Sequence, residues 1–577
     1  MTDIAAFGFS GSQATSALFG ANVLATRGTL EQGGDYDQVI EALGVGSFRY
    51  PGGSLTERYF DINNPNATVA LDRDTGEMRD FIPLNEAMEY ASAEGLSVTI
   101  VIPTRHLLSD YVDTNGDRFA DFDEDALRGF VRDVVSGEYG DAEVDAFELG
   151  NEYWGSGQMS SVEYGRLASE MAVVVNDELD LLNSEAEIVV QSGTNFNFAR
   201  MSDDFEDDMT GAEILSEINA LYGLDLGEDA LFSSGEVNWT NVANEMILAE
   251  FDAEAEQNAV DQVAVHVYSR GQVNDSQRTF FLNNTDETWG EELPHAQIAV
   301  TEWNTAGNTQ SLDRNTDYGL YQSHEMINVM EEFMRYDVEQ AHVWPLIQNT
   351  PNTLSVDDGE ADLTPGGAIF GMMQEALPGM VAIDLNEEGG SQTEIEENGM
   401  AVHGFWQPDE LLFYVAATDA QGVDTTVDFS DMVSEVGAVE ITHLGVEDGA
   451  AIGSNSSDAV VTELNPDDVM IGNNLSVNMS EGEILQIRMS GFTPSRDFQS
   501  VISENAPEEL PEPMILPEAA ANEAEIDFPT VPFTAVEAEA MAFETEDDAE
   551  RDGENDLDGL ADLVAAIPFI GLLAFFV

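Results

Sequence analysis

Hydrophobic and polar positions alternate between two patterns over the first two thirds of the chain. Short apolar runs of strand length are followed by segments in which apolar residues recur with the period of a helix, and this continues to about residue 380. The apolar runs predict eight strands, at 19–25, 47–50, 97–103, 144–152, 187–191, 261–268, 297–302 and 341–346. The periodic segments predict helices at 35–43, 84–94, 123–135, 162–180, 318–336 and 364–377. A long acidic insertion, 198–257, separates strands five and six.

Eight consecutive strand–helix units favour a (β/α)8 TIM barrel over residues 1–380. A doubly wound sheet is disfavoured because no glycine-rich phosphate-binding turn follows the first strand. In a barrel the carboxyl ends of all eight strands meet at one face, and that face carries the catalytic groups. Polar residues at strand ends are therefore the first candidates for a site.

The pattern changes after Pro378 to strict alternation with short turns. Strands are predicted at 400–405, 410–417, 425–429, 439–444, 474–479 and 483–489, which indicates a β-sandwich domain over 381–492. From 493 to 577 the chain is rich in Pro, Glu and Ala and poor in aromatic residues, so we expect a disordered acidic tail.

The charge balance excludes some partners. The chain has 113 acidic and 18 basic residues, all of the latter Arg, for a net charge of −95. Nucleic acid is excluded as a partner because phosphate binding needs clustered Lys and Arg. Self-repulsion of this size opposes folding unless salt screens it, which indicates a saline or calcium-rich setting. The absence of Cys excludes disulfides and thiolate chemistry.

The two ends of the chain bear on its location. Residues 1–15 contain no positive residue and no long apolar run, so no N-terminal signal peptide is predicted. The apolar run Leu563–Val577 is shorter than the roughly 20 residues that span a bilayer, so no stable membrane span is expected. An acidic tail closed by a short apolar run resembles a type I secretion signal, which predicts an extracellular protein; a frayed terminus is the alternative.

Two predicted strands end in a carboxylate. Strand four runs into Asn151-Glu152, and strand seven ends at Glu302. Glutamate is rarely buried without a partner or a function. A pair of carboxylates across a barrel mouth is the arrangement of a retaining glycosidase, in which one protonates the leaving oxygen and the other attacks the anomeric carbon.

Polar and aromatic residues accompany this pair. Asn151 is a candidate ligand for a sugar hydroxyl. Five aromatic residues at or near strand ends are candidates for stacking on sugar rings, with core packing as the alternative for any one of them: Tyr153, Trp154, Tyr268, Trp303 and Trp344.

Four motifs at the ends of strands two, four, six and seven resemble those of clan A glycoside hydrolases. They are Arg49-Tyr50-Pro51-Gly52-Gly53, Gly150-Asn151-Glu152, His266-Val267-Tyr268 and Thr301-Glu302-Trp303-Asn304. The chain is most similar to family 51 α-L-arabinofuranosidases, with families 39 and 79 as relatives, and the resemblance covers roughly 18–490. Two positions depart from the family pattern and leave the sugar open: Ser54, and Thr104-Arg105-His106.

The resemblance implies a role for each matched residue. Glu152 would be the acid/base and Glu302 the nucleophile. Arg49 and Asn151 would orient substrate and nucleophile, Tyr268 would hydrogen-bond the nucleophile, and His266 would belong to the substrate-binding set.

A second candidate site is an acidic loop. Oxygen ligands stand at positions 1, 3, 5, 7, 9 and 12 of an EF-hand-like calcium loop, namely Asp113, Asn115, Asp117, the Phe119 carbonyl, Asp121 and Glu124. Arg118 occupies position 6, where the standard turn has Gly. The loop is thus a candidate for structural calcium, and a chance match in an acidic chain is the alternative.

Scarce arginines also stand at strand ends. Arg49, Arg105, Arg200 and Arg270 lie at or just beyond predicted carboxyl ends. They either pair with surplus carboxylates or form a pocket for a uronate or sulfated sugar.

These patterns predict a secreted, retaining glycoside hydrolase that acts on a plant or marine polysaccharide and needs no cofactor for its chemistry. The alternatives are a catalytically inactive carbohydrate-binding protein and a calcium-dependent cell-surface or adhesive exoprotein. Linkage, endo or exo action and oligomeric state stay open.

Overall fold

The first domain is a closed barrel of eight parallel strands. The computed structural model describes residues 1–206, 208–271, 275–307, 312–356, 362–386 and 393–505. Each strand pairs with the next in chain order and the eighth pairs with the first, so the expected TIM barrel is confirmed. The strands are β1 (Gly20–Asn22), β2 (Ser47–Tyr50), β3 (Ser97–Ile102), β4 (Glu143–Leu149), β5 (Glu187–Gln191), β6 (Gln262–Ser269), β7 (Gln297–Thr305) and β8 (Gln340–Val343).

Helices surround the barrel, and their ends follow local chemistry. The first and third end at glycines in the left-handed conformation, Gly44 and Gly95, and Asp123 caps the fourth by accepting from Ala126 N. They are α1 (Asp35–Leu43), α2 (Leu55–Tyr59), α3 (Leu84–Glu94), α4 (Glu124–Val135), α5 (Ser161–Leu182), α6 (Gly211–Tyr222), α7 (Trp239–Leu248), α8 (Glu254–Gln257), α9 (Phe280–Glu292), α10 (Leu320–Arg335) and α11 (Pro365–Ala376).

Two kinds of insertion rise from the strand ends of the barrel. Short hairpins follow β2 and β3, at Val69–Leu71 with Met78–Asp80 and at Leu108–Val112 with Arg118–Ala120. The long acidic connection between β5 and β6 carries α6, α7 and α8, and part of it packs around its own small core, which includes Leu215, Ile218 and Met246.

The second domain is the expected β-sandwich. Apolar side chains of its two sheets share one core. Its strands are β9 (Val381–Asp384), β10 (Ile395–Glu397), β11 (Met400–Gln407), β12 (Glu410–Ala417), β13 (Val423–Asp428), β14 (Val433–Glu435), β15 (Ala438–Val446), β16 (Ala459–Leu464), β17 (Met470–Ile471), β18 (Asn474–Met479), β19 (Ile484–Ser490) and β20 (Thr493–Pro494). The larger sheet has the order Gly8–Ser10, β9, β11, β12, β19, β15, β16, and β10 pairs with β11. The smaller sheet has the order Thr2–Asp3, β13, β18, β17.

Both ends of the described chain belong to the sandwich and shift the predicted boundaries. Residues 2–3 pair in parallel with β13 and residues 8–10 pair with β9, although residue 1 was expected to begin the barrel. At the other end β20 pairs with β14, and helix Arg496–Asn505 buries Phe498, so the sandwich continues past residue 492. These segments are too short to give a periodic signal.

The remainder of the predicted acidic tail, including Leu563–Val577 and its secretion signal, lies outside the described residues, and the extracellular location stays a prediction. Among the helices in the described part of the chain, none combines the length and the apolar character that crossing a bilayer requires.

The barrel and the sandwich are joined by buried polar contacts. On β11, His403 Nδ1 lies 2.9 Å from Glu331 Oε2 of α10, and His403 Nε2 lies 3.1 Å from His324 Nε2 of the same helix. Burial acts to lower the pKa of His403, but the charge and hydrogen bond of Glu331 and the charge of Glu394 together raise it. His403 thus bridges a carboxylate and a second imidazole across the domain interface.

Candidate active site

Glu152 follows β4 in an unusual backbone conformation. After Leu149, Gly150 has φ +83° and Glu152 itself has φ +44°, a left-handed value that few non-glycine residues adopt. The Glu152 N–H donates to Gln191 Oε1 (3.2 Å), and the Glu152 carbonyl accepts from Gly155 N (2.8 Å). A side chain 18% exposed is thereby turned to the mouth of the barrel.

Glu302 lies on β7 with both carboxylate oxygens held. Arg49 Nη1 donates to Oε1 (3.0 Å) and the Tyr268 hydroxyl donates to Oε2 (2.7 Å). The side chain is 5% exposed. Two donors from two other strands fix the plane of the carboxylate, as a nucleophile that must attack along one direction requires.

The two carboxylates lie close together beside His266. One oxygen of Glu152, one of Glu302 and a ring nitrogen of His266 are all within 4.8 Å of one another. Carboxyl groups of retaining glycosidases are about 5–5.5 Å apart, whereas inverting enzymes need about 6.5–9.5 Å to admit a water. The observed gap fits the retaining geometry. This is also the only group of three such ligands among the residues the structure describes, so a metal ion could be held here.

His266 bridges the pair from β6, where it is in register with Glu302. Its Nδ1 lies 3.3 Å from Glu152 Oε1 and 3.6 Å from Glu302 Oε2. Burial acts to lower the pKa of His266, but the charges of Glu302 and Glu152 outweigh it and raise the pKa. His266 therefore stays protonated to a higher pH than a free imidazole and, when protonated, donates from Nδ1 towards the carboxylates.

Arg49 is fully buried beneath the pair and uses its whole guanidinium. It donates to Glu148 through Nε (2.5 Å) and Nη2 (2.9 Å), to Asn22 Oδ1 (3.0 Å), to Asn151 Oδ1 (2.8 Å) and to Glu302. Burial acts to lower the pKa of Arg49, but the charges of Glu148 and Glu302 raise it above its usual value. Arg49 thus fixes Glu302 and Asn151 at once.

Two buried glutamates that support the site were not predicted. Glu148 pairs with Arg49 and also accepts from Gln191 Nε2 (2.5 Å) and Thr301 Oγ1 (3.1 Å). A glutamate in the middle of the apolar run Phe147-Glu148-Leu149 was the available signal.

Glu57, on α2, is the second such residue. Its carboxylate accepts the N–H groups of Thr104 (3.0 Å), Arg105 (2.8 Å) and Asn151 (3.1 Å). Burial raises the pKa of Glu57, and these N–H groups partly offset the rise. Glu57 therefore ties the end of β3 to the residue before Glu152.

Two of the candidate aromatic residues border the pair, in addition to Tyr268. The half-buried Trp344 covers Gly53, where a Cβ would come 2.6 Å from the indole ring and 3.5 Å from Glu302 Oε1. Only glycine fits between Trp344 and Glu302. Trp154 packs edge-on against His266, with ring centroids 6.0 Å apart, and only 4% of it is exposed.

Tyr153 and Trp303 do not face a sugar, which corrects the expectation of stacking. Tyr153 is buried, stacks on Tyr164 at 4.6 Å, and its hydroxyl is 3.0 Å from Ser161 Oγ. Trp303 is buried 5.3 Å from Phe333, in the layer between barrel and helices. Successive strand residues point to opposite faces, so Trp303 points outwards because Glu302 points inwards.

The acidic loop forms the turn of a hairpin, and the guanidinium of an arginine binds its first carboxylate where a calcium ion was predicted. Asp113 Oδ1 accepts the N–H groups of Asn115, Gly116 and Asp117, and its Oδ2 binds Arg166 (2.7 Å). Arg166 also donates to the carbonyls of Asp117 and Arg118.

The other predicted calcium ligands are dispersed. Asn115 Nδ2 donates to Leu221 O, Asp117 accepts from Ser160, Phe119 lies in the returning strand, and Glu124 begins α4. No group of three acidic ligands, Asp121 included, is assembled in this part of the described chain. These predicted ligands are thus not gathered into one cluster of carboxylates, and calcium binding by the loop stays a prediction.

The strand-end arginines pair with carboxylates where the structure describes the pairing. Arg49 binds Glu148 and Glu302, and Arg105 Nη1 lies 2.6 Å from Asp74 Oδ1. Arg200 has a looser partner in Asp203 at 4.0 Å. The first of the two interpretations fits these contacts.

Comparisons with known proteins place the fold. No family model and no curated protein matches the chain. Solved structures do match. An α-L-arabinofuranosidase from Thermotoga maritima in an arabinose complex has a TM-score of 0.56 at 13% identity, covering 85% of this chain and 99% of that one. A family 51 α-L-arabinofuranosidase from Thermotoga petrophila gives 0.55 at 14% identity, over 84% and 99%. A family 44 xyloglucanase from Paenibacillus polymyxa gives 0.51 at 12% identity, over 85% and 99%. The chain therefore has the fold of the clan A glycoside hydrolases.

Proposed function

We propose that the protein is a retaining glycoside hydrolase that cleaves its substrate by double displacement on Glu302 and Glu152. The observation that carries the proposal is the approach of the two carboxylates to within 4.8 Å at the mouth of the barrel. Two carboxylates whose oxygens come this close suit direct attack by one of them on the sugar, as in a retaining enzyme.

In the first step Glu302 attacks the anomeric carbon and Glu152 gives its proton to the leaving oxygen. Arg49 and the Tyr268 hydroxyl hold the Glu302 carboxylate in one orientation, which lowers the entropic cost of attack. In the second step Glu152 takes a proton from water, and that water releases the sugar from Glu302 with retained configuration.

The substrate we propose is a plant or marine polysaccharide, with terminal α-L-arabinofuranosyl groups as the first candidates. The four strand-end motifs support this choice, since they resemble family 51. The fold neighbours named as arabinofuranosidases are consistent with it.

Removal of each carboxylate tests the proposal. Glu302→Ala should lower kcat by several orders of magnitude with little change in substrate affinity, because only the covalent step is lost. Glu152→Ala should slow substrates with poor leaving groups far more than activated aryl glycosides. Azide should restore turnover of Glu152→Ala and give a glycosyl azide of retained configuration, because the nucleophile is intact.

A matched control is Glu178→Ala, which removes a buried carboxylate that binds Arg132 on the helical layer. It should lower stability and leave kcat unchanged. An inverted product would reject the double displacement. Wild-type protein that binds oligosaccharides without turning over any glycoside, and variants that bind equally well, would support a carbohydrate-binding protein.

A further inference from the structure

A loop of the sandwich domain packs against the barrel at the connection between β7 and α10. The loop joins β15 to β16. Its Ile452 carbonyl accepts from Leu320 N (2.9 Å), and its Gly453 carbonyl accepts from Tyr318 N (3.0 Å). A Cβ at Gly453 would collide with a backbone carbonyl of the same barrel segment, so this close approach requires glycine. The sandwich is thus tied to the segment that follows the strand of the proposed nucleophile.

Asn455, in the same loop, is buried and uses its whole amide group. Its Oδ1 accepts from Gly319 N (2.9 Å), and its Nδ2 donates to Gln322 Oε1 (2.6 Å). The same Nδ2 donates to the carbonyls of Pro351 and Thr353, which follow β8. One side chain of the sandwich therefore joins the two barrel segments that follow β7 and β8.

From Gln322 the hydrogen bonds continue to the end of β7. Gln322 Nε2 donates to Asn304 Oδ1 (2.8 Å), and Asn304 Nδ2 donates to the Trp344 carbonyl (2.8 Å). Asn304 stands two residues after Glu302 on the same strand, and both Asn304 and Gln322 are completely buried. Each amide accepts from one neighbour and donates to the next, and leaving a buried partner unsatisfied costs about 1–3 kcal/mol. The three amides therefore hold one another in a single arrangement.

The series of hydrogen bonds ends at a residue that borders the proposed nucleophile. The Trp344 indole lies over Gly53, where a Cβ would come 2.6 Å from the ring and 3.5 Å from Glu302 Oε1. The indole thus limits the space beside Glu302. A displacement of about 1 Å in a positioning group can lower a rate by about 100-fold, so the support of Trp344 bears on catalysis.

We propose that Asn455 is a positioning residue, and that the sandwich domain completes the active site by fixing Trp344 through Gln322 and Asn304. This inference rests on the proposed function. The sandwich is then part of the catalytic unit and not a separate module. The alternative is that Asn455 only stabilises the interface between the domains, and kinetics distinguish the two.

A double-mutant cycle tests whether Asn455 acts through Trp344. The substrate is the aryl glycoside that wild-type protein hydrolyses fastest, and the assay temperature is one at which unfolding curves show every variant folded. Asn455→Ala should lower kcat/KM about 10- to 100-fold in the wild-type background. In the Trp344→Ala background the same substitution should change kcat/KM by less than about twofold, because the group that it positions is absent.

Asn473→Ala is the matched control. Asn473 also lies in the sandwich, and its Nδ2 donates to the Val433 carbonyl (2.7 Å), so this variant loses a comparable amide hydrogen bond away from the barrel. It should lower the melting temperature and leave kcat/KM unchanged. Similar losses of kcat/KM in Asn455→Ala and Asn473→Ala would show that the effect is one of stability alone and would overturn the proposal.

Tryptophan fluorescence tests the structural link without a substrate. Of the six tryptophans only Trp344 and Trp239 are more than slightly exposed, so the contribution of Trp344 is obtained by comparing each protein with its Trp344→Phe counterpart. Asn455→Ala should increase the quenching of Trp344 by acrylamide, and Asn473→Ala should not.

The outcomes separate this inference from the proposed function. An equal loss of kcat/KM in both backgrounds, no loss in either, or unchanged quenching of Trp344 would overturn the role of Asn455 and leave the glycosidase proposal standing. Failure of wild-type protein to turn over every glycoside would reject the glycosidase proposal, and the catalytic role of Asn455 with it.

Discussion

Glu187 at the closed end of the barrel should make stability depend on pH without affecting catalysis. It begins β5, at the face opposite the proposed site, and residues at that face of a barrel usually contribute to stability and not to catalysis. Burial, and the nearby carboxylates of Glu339, Asp261 and Asp145, raise the pKa of Glu187 to about 7. Glu187→Gln removes the charge and keeps the shape.

The sign and the size follow from linkage. Between the pKa of an unfolded glutamate, about 4.3, and the folded value, the folded state holds a proton that the unfolded state has lost, so stability falls as pH rises through this window. The shift corresponds to at most about 3.7 kcal/mol, and because solvent reaches the side chain we discount it to about 1–2 kcal/mol. Above about pH 7 the full penalty applies, and Glu187→Gln should remove it.

The assay is thermal unfolding at pH 4 and pH 8. The variant should unfold at the wild-type temperature at pH 4 and roughly 1–3 °C higher at pH 8, because a barrel of this size has a large unfolding entropy. Added salt should narrow the difference at pH 8, because it screens Glu339 and Asp261. Glu185→Gln, at an exposed position two residues earlier, should have no effect at either pH. An equal gain at both pH values, or none at pH 8, would refute the reasoning.

Two further predictions concern single contacts. Tyr268→Phe removes one hydrogen-bond donor to the Glu302 carboxylate and should lower kcat/KM about 10- to 150-fold, which is the contribution of a hydrogen bond to a charged group. The control, Tyr153→Phe, should lower stability and leave kcat unchanged, and equal kinetics of the two variants would contradict the prediction. At the hairpin, the guanidinium of Arg166 binds Asp113 where a calcium ion was predicted, so a chelator should leave the melting temperature unchanged and Arg166→Met should lower it. A melting temperature of the wild-type protein that falls in chelator would support calcium binding instead.

The barrel and its mouth were predictable because their signals are periodic and local. Strands Ser47–Tyr50 and Glu187–Gln191 and helices Asp35–Leu43 and Leu84–Glu94 have the predicted bounds, since glycine or proline stops most of them. The barrel brings strand ends together, so Glu152 and Glu302 could be paired across 150 residues of sequence without any contact being known.

What the sequence did not reveal depends on side-chain partners that only the closed barrel creates. Glu57 is unremarkable in a chain with 113 acidic residues, and Glu148 is marked only by the apolar run around it. Their roles come from the N–H groups and the guanidinium that they contact. Trp303 was predicted to belong to the site because it follows Glu302 in the sequence. Successive side chains of a strand lie on opposite faces, so Trp303 lies on the face away from the site. The first ten residues pair with strands more than 370 residues away, which no local pattern encodes.

The charge inside the barrel mouth favours a neutral sugar. One guanidinium, Arg49, lies among the carboxylates of Glu148 and Glu302, so this buried group has more carboxylates than cations. An excess of negative charge stabilises the oxocarbenium-like transition state of glycoside cleavage. We expect the same excess to repel a uronate or a sulfated sugar, and Arg105, a second strand-end cation, is already bound to Asp74. These arginines thus hold carboxylates in place, and on the proposed function we expect a neutral substrate whose positive charge develops only as the bond breaks.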